Sequence, residues 1–106
     1  MSEIIGALRN RVTLEEPVRI ADEIGGAAIL WTARGDVWAA VRARGAGETA
    51  GFDTAVSTAS YDVTINRRDD VRAGWRIRWG ARRLRIFGVS DEGAPRIQLH
   101  CEEERP

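Results

Sequence analysis

The sequence predicts an all-β fold, a small antiparallel β-barrel of about six strands with a long loop between the second and third. Three observations carry this. Short runs alternate with period two, as where Val37, Ala39 and Val41 interleave with Trp38, Ala40 and Arg42. Turn signals rich in Gly and Asp separate those runs. A tight hairpin is written out in full from Trp75 to Phe87. With 106 residues, 43% hydrophobic and 30% charged, the chain reads as one globular domain spanning 1–106.

Each element follows in order. The first strand is predicted at Arg11 to Glu15, with Val12 and Leu14 on one face, and Pro17 ends or bends it. Asp22 to Gly26 is a turn. A longer strand runs from Trp31 to Arg44, and its early part is apolar on both faces, which predicts cover on both sides. From Gly45 to Ser60, twelve of sixteen residues are Gly, Ala, Ser or Thr. That segment reads as a long loop; Phe52 and Val56, four apart, allow a short helix that the glycines weaken. Ser60 to Arg67 is a strand with Tyr61, Val63 and Ile65 on one face, and Arg68-Asp69-Asp70 is a polar corner. Gly80-Ala81 then suits a two-residue hairpin turn. Its register pairs Trp79 with Arg82, Ile77 with Leu84 and Trp75 with Ile86. The inner face becomes Trp75, Ile77, Trp79, Leu84 and Ile86, and the outer face Arg76, Arg78, Arg83 and Arg85. Gly88 allows a bulge. Asp91 to Gly93 turns the chain, and Pro95 to Glu102 is a last strand with Ile97, Leu99 and Cys101 inward.

Composition excludes several classes. Sixteen basic residues, all Arg, balance sixteen acidic ones. Domains that grip nucleic acid carry a basic surplus, so zero net charge argues against that as the main task. A single cysteine, Cys101, cannot form an internal disulfide, which fits a reducing compartment. One His and one Cys make no zinc cluster, so no metal and no cofactor is expected. No apolar run approaches the ~18 residues that cross a bilayer, and no signal peptide is expected.

Catalytic residues are not expected either. His100 is the sole imidazole, and its strand neighbour Cys101 points to the opposite face. A solvent-facing His100 and a core Cys101 are predicted. The acidic pairs Glu15-Glu16, Asp69-Asp70 and Asp91-Glu92 sit at strand ends and turns, where solvated carboxylates are common. The four outer arginines of the hairpin repel one another unless offset. The offset comes from within the chain (Asp62, Glu102 or a neighbouring strand), from carboxylates of a partner subunit, or from a nucleic-acid backbone; Arg is a favoured interface residue. Four tryptophans, Trp31, Trp38, Trp75 and Trp79, exceed what so small an interior hides, so at least one is expected at a subunit contact.

The order of these signals resembles the head–tail joining proteins, also called head-closure or stopper proteins, of long-tailed bacteriophages and gene transfer agents. The resemblance runs from Gly6-Ala7-Leu8-Arg9-Asn10-Arg11-Val12 through Trp31, Val37-Trp38-Ala39-Ala40-Val41 and Gly47-Glu48. It continues in Val63-Thr64-Ile65-Asn66-Arg67-Arg68-Asp69-Asp70-Val71, Arg76-Ile77, Leu84-Arg85-Ile86, Val89, Leu99 and Cys101-Glu102. No single piece is specific; the order and spacing are. Asn66 stands where the family commonly has Arg, and Leu84 where it commonly has an aromatic.

The resemblance implies a non-enzymatic structural protein of the virion neck, assembled in the host cytoplasm. It implies a ring homo-oligomer of about six or twelve subunits, each contributing two different faces to a head-to-tail contact. Portal or adaptor protein on one side and tail terminator or tail tube protein on the other are the implied partners. DNA passes through the channel without specific binding, and no membrane is involved. The channel loop falls on Gly45, Gly47, Glu48, Phe52, Asp53 and Val56. From the charge pattern, Arg76, Arg78, Arg83, Arg85, Glu102 and Glu103 are the candidate subunit interface. The competing reading is a small Arg-rich β-barrel that binds nucleic acid.

Overall fold

A computed structural model describes residues 8–44, 59–91 and 95–104. Six strands follow in chain order: β1 (Asn10–Ala21), β2 (Ala27–Ala43), β3 (Ser60–Asn66), β4 (Arg76–Trp79), β5 (Arg82–Ser90) and β6 (Arg96–Glu103). They form a closed antiparallel barrel in the order β1-β2-β3-β6-β5-β4. The all-β expectation is met, and closure leaves the barrel wall without open edges.

The core follows from alternation. Val12, Leu14, Ala39, Val63 and Ile65 point inward from the first three strands, and Ile77, Leu84, Ile86, Ile97, Leu99 and Cys101 from the others. All are at most 2% exposed. Each large aliphatic side chain so buried contributes about 1.5–3 kcal/mol. The hairpin register is the predicted one, Trp79 opposite Arg82 and Ile77 opposite Leu84. Gly80 takes the positive φ of 65° that its tight turn requires. Gly88 marks the register shift on β5, where Phe87 is the extra residue.

Two strands run longer than the sequence predicts. β1 does not end at Pro17: that residue lies opposite Trp31, and pairing continues to Ala21 with Ala27. β4 pairs with β1 only at Thr13, Leu14 and Glu15. Beyond Glu15, β1 therefore has one neighbour, and a proline there takes nothing from a second ladder. The result is an arm, a two-stranded hairpin of Glu16–Ala21 and Ala27–Thr32 that leaves the barrel. The molecule measures 55 × 38 × 25 Å along its principal axes. The expectation of cover on both faces of early β2 also fails. Trp38 is 50% exposed on the outer wall, because no second layer packs there among the described residues.

A bulge marks where the arm leaves. Leu14 pairs with Gly35 and Glu15 with Ala33, so Arg34 is the extra residue. Gly35 has φ 149°, and a Cβ there would meet the Arg68 guanidinium at 2.9 Å. Arg68 donates to the Arg34 carbonyl at 3.3 Å and grips Asp70 through Nε at 3.0 Å and an Nη at 2.8 Å. That hydrogen-bonded guanidinium holds the Asp70 carboxyl below its usual range. The predicted polar corner thus buttresses the bulge.

Candidate functional site

The outer face of the β4–β5 hairpin carries the four predicted arginines, with Arg76 opposite Arg85 and Arg78 opposite Arg83. Most of that charge is offset within the chain. Barrel closure sets Glu15 opposite Arg76. Glu15 is 5% exposed, and its Oε1 accepts from Arg76 Nε at 2.8 Å. Arg78 stands 3.6 Å from the other oxygen. Glu104 lies 3.0 Å from Arg85 and 3.8 Å from Arg76. The Trp31 ring completes the cluster, with the guanidinium carbons of Arg76 and Arg85 4.2 and 5.0 Å from its centroid. Desolvated cations over an indole gain more than exposed ones. Trp31 comes from β2 just beyond the bulge, so the cluster also ties the arm's base to the barrel.

Arg83 and Glu102 differ from these. Both are exposed, and neither makes an ion pair among the described residues. Glu102 is opposite Arg85 in register, yet Arg85 turns to Glu104. Glu103 faces the other way, to the barrel rim. There Arg82 donates to both its oxygens, from Nε at 3.1 Å and from an Nη at 3.0 Å. The same guanidinium bonds the Tyr61 hydroxyl and lies 4.6 Å from the Trp79 centroid. Tyr61 and Trp79 meet edge to face at 6.3 Å. Of the six candidate interface residues, Arg76, Arg78, Arg85 and Glu103 are thus engaged inside the chain. Gly45, Gly47, Glu48, Phe52, Asp53 and Val56 lie outside the described residues.

His100 points outward, opposite Cys101, but it is hydrogen-bonded rather than simply solvated. Its Nδ1 lies 2.9 Å from Asp62 Oδ1 and its Nε2 2.7 Å from Ser90 Oγ. The Phe87 ring covers one side at 6.2 Å. Sequence reasoning missed this relay, although strand register could have found it, since Asp62 and His100 are direct partners. It spans β3, β6 and β5 on a convex wall and clips the three strands together. Cys101, at 0% exposure, is inert: burial, with the Asp62 charge adding to it, pushes its thiol up to about 12. Among the described residues, no group of His, Cys, Asp and Glu is arranged to hold a metal.

The geometry is that of a structural barrel with charged outer walls and an apolar arm. Known proteins agree. A chain in the virion of a native gene transfer agent particle superposes with a TM-score of 0.75 at 31% identity, covering 93% of this chain and 96% of that one. A Shigella flexneri 2a protein, solved in solution, superposes with a TM-score of 0.70 at 24% identity over 93% and 95% of the two chains, which shows the shared fold. No curated protein sequence matches. The sequence pattern of phage head completion proteins matches residues 4–104, from before the first strand to the end of the last. With that match spanning nearly the whole chain, the protein belongs to the phage head completion protein family.

Proposed function

We propose that this chain forms a ring between the portal–adaptor complex of a filled head and the top of the tail, closing the DNA channel and offering the surface to which the tail attaches. The chain belongs to a family of structural virion proteins, not of enzymes. The observation that carries the ring reading is the likeness, over 93% of this chain, to a chain in a gene transfer agent virion. The segment from Gly45 to Ser60 is the part we assign to the channel. Its small residues suit a change of shape, and Glu48 and Asp53 would repel passing phosphates.

The hairpin wall supports a conduit more than a DNA clamp. Arg76, Arg78 and Arg85 are committed to Glu15 and Glu104, which leaves little basic surface on that face to hold a phosphate backbone. Arg83 and Glu102 are the charges there that remain for an adjoining chain of the particle.

Imaging the neck of purified particles tests the reading. The expected result is a ring of this chain between portal and tail, with residues 45–60 toward the channel. Absence of the chain from particles, together with tight and salt-sensitive DNA binding by the isolated protein, would favour the nucleic-acid-binding alternative instead.

A further inference from the structure

The arm exposes more apolar surface than a free hairpin needs. Ile20 is 43% exposed, Ile29 52%, Leu30 53% and Ile24, at the tip, 84%. Six residues of β1 lie beyond the last β4 pair, so the arm reaches on the order of 20 Å from the barrel. Its tip is rigid. Asp22 Oδ1 accepts from the backbone of both Ile24 and Gly26 at 3.0 Å, and Asp22 N donates to the Gly26 carbonyl at 3.0 Å. Gly25 supplies the positive φ of 89°. The turn therefore presents an isoleucine preceded in the chain by two carboxylates, Asp22, which caps the turn, and Glu23. Little ordering cost remains to be met on binding.

The same chain carries the complementary surface. Trp38 lies half-exposed on the outer wall with the Arg11 guanidinium 5.1 Å from its ring centroid. Arg42 follows on the same face of β2, exposed. Two carboxylates, Asp36 and Asp62, share that wall with three arginines, Arg11, Arg42 and Arg44. Asp36 accepts from Thr13 Oγ1 at 2.8 Å. Asp62 faces His100 and has Arg44 at 3.5 Å. Arg11 and Arg42 make no ion pair among the described residues. A half-exposed aromatic ring beside two arginines matches, in apolar character and in sign, an isoleucine preceded by two carboxylates. The tip cannot serve its own Trp38, because the two lie at opposite ends of the β1–β2 ladder.

We infer that the arm tip around Ile24 docks on the Trp38, Arg11 and Arg42 wall of a second copy of this chain. Each subunit then gives an arm on one side and receives one on the other, a heterologous contact that closes into a ring. This inference rests on the ring reading above and names the contact that builds the ring.

The test uses the chain inside particles. Glu23→Cys and Arg42→Cys are introduced together, leaving Ile24 and Trp38 as anchors, and particles are treated with a short bismaleimide. The buried Cys101 does not compete. The expected result is a ladder of covalent multimers that neither single-cysteine variant gives. A second variant, Ile24→Asp, changes a side chain that supports no fold contact; it should keep the melting temperature and lower copies per particle at least tenfold. Neck rings that persist without a ladder, and with Ile24→Asp fully incorporated, would overturn the arm contact while the ring reading stands. Particles whose necks hold no ring of this chain would overturn both.

Discussion

At the scale of single residues, the interior and the charged walls obey different rules. Cys101 is a core residue that happens to be ionisable. Its unfolded thiol titrates near 9.0, and burial pushes the folded thiol up to about 12. Between those values the native state holds a proton that the unfolded state has lost. Stability is therefore unaffected below pH 9 and falls as pH rises through that window. Denaturant titrations at stepped alkaline pH should show the fall, and Cys101→Ala should flatten it while costing some stability throughout. A thiol reagent at neutral pH should leave native Cys101 unmodified and label it once the chain unfolds. Cys101's inward position was readable from strand alternation alone. The partner of Arg76 was not: Glu15 is 61 residues away in sequence and meets it only because the barrel closes. Glu102, nearer in the chain, looked the better candidate and makes no ion pair among the described residues.

At the scale of elements, the β4–β5 hairpin was legible down to its register, because alternation and the Gly80 turn state the same pairing. The arm was not legible. Its strands lack clean alternation, since apolar residues occupy both faces where no core exists to select one. Pro17 gave a stop signal that an edge position tolerates. Trp31, at the arm's base, ties the arm to two arginines of the barrel. Trp31→Ala should lower stability by about 1–3 kcal/mol, combining lost packing with lost cation–π contact. Hydrogen exchange should show the effect concentrated in Ala27–Thr32, with the barrel strands protected as before. Uniform loss of protection across β3 and β6 would contradict that tie.

At the scale of the whole molecule, balanced charge hides an uneven distribution. Among the described residues, the hairpin-wall arginines other than Arg83 are paired internally, whereas Arg11 and Arg42 of the Trp38 wall make no ion pair. Arg83→Glu should therefore leave the melting temperature unchanged and lower incorporation into particles. Arg85→Glu should lower both, because it places a carboxylate against Glu104 and strips one cation from Trp31. Equal incorporation of Arg83→Glu and the unmodified chain would remove that wall from the list of contacts. The six strands and their closure were legible from sequence because each strand carries its own pattern. How charge is shared between walls was not, because it depends on neighbours that only the closed sheet defines.

The seam between β1 and β4 has one more consequence, for the order in which the chain folds. Neighbouring strands elsewhere pair over four or more positions, whereas this seam has three. It joins segments far apart in the chain, so its loop-closure entropy is met late, after the β1–β2 and β4–β5 hairpins have formed locally. The seam is then the last part of the wall to zip and the first to unzip. The Glu15–Arg76 bond acts there as a latch, and weakening it should raise the unfolding rate while barely slowing refolding.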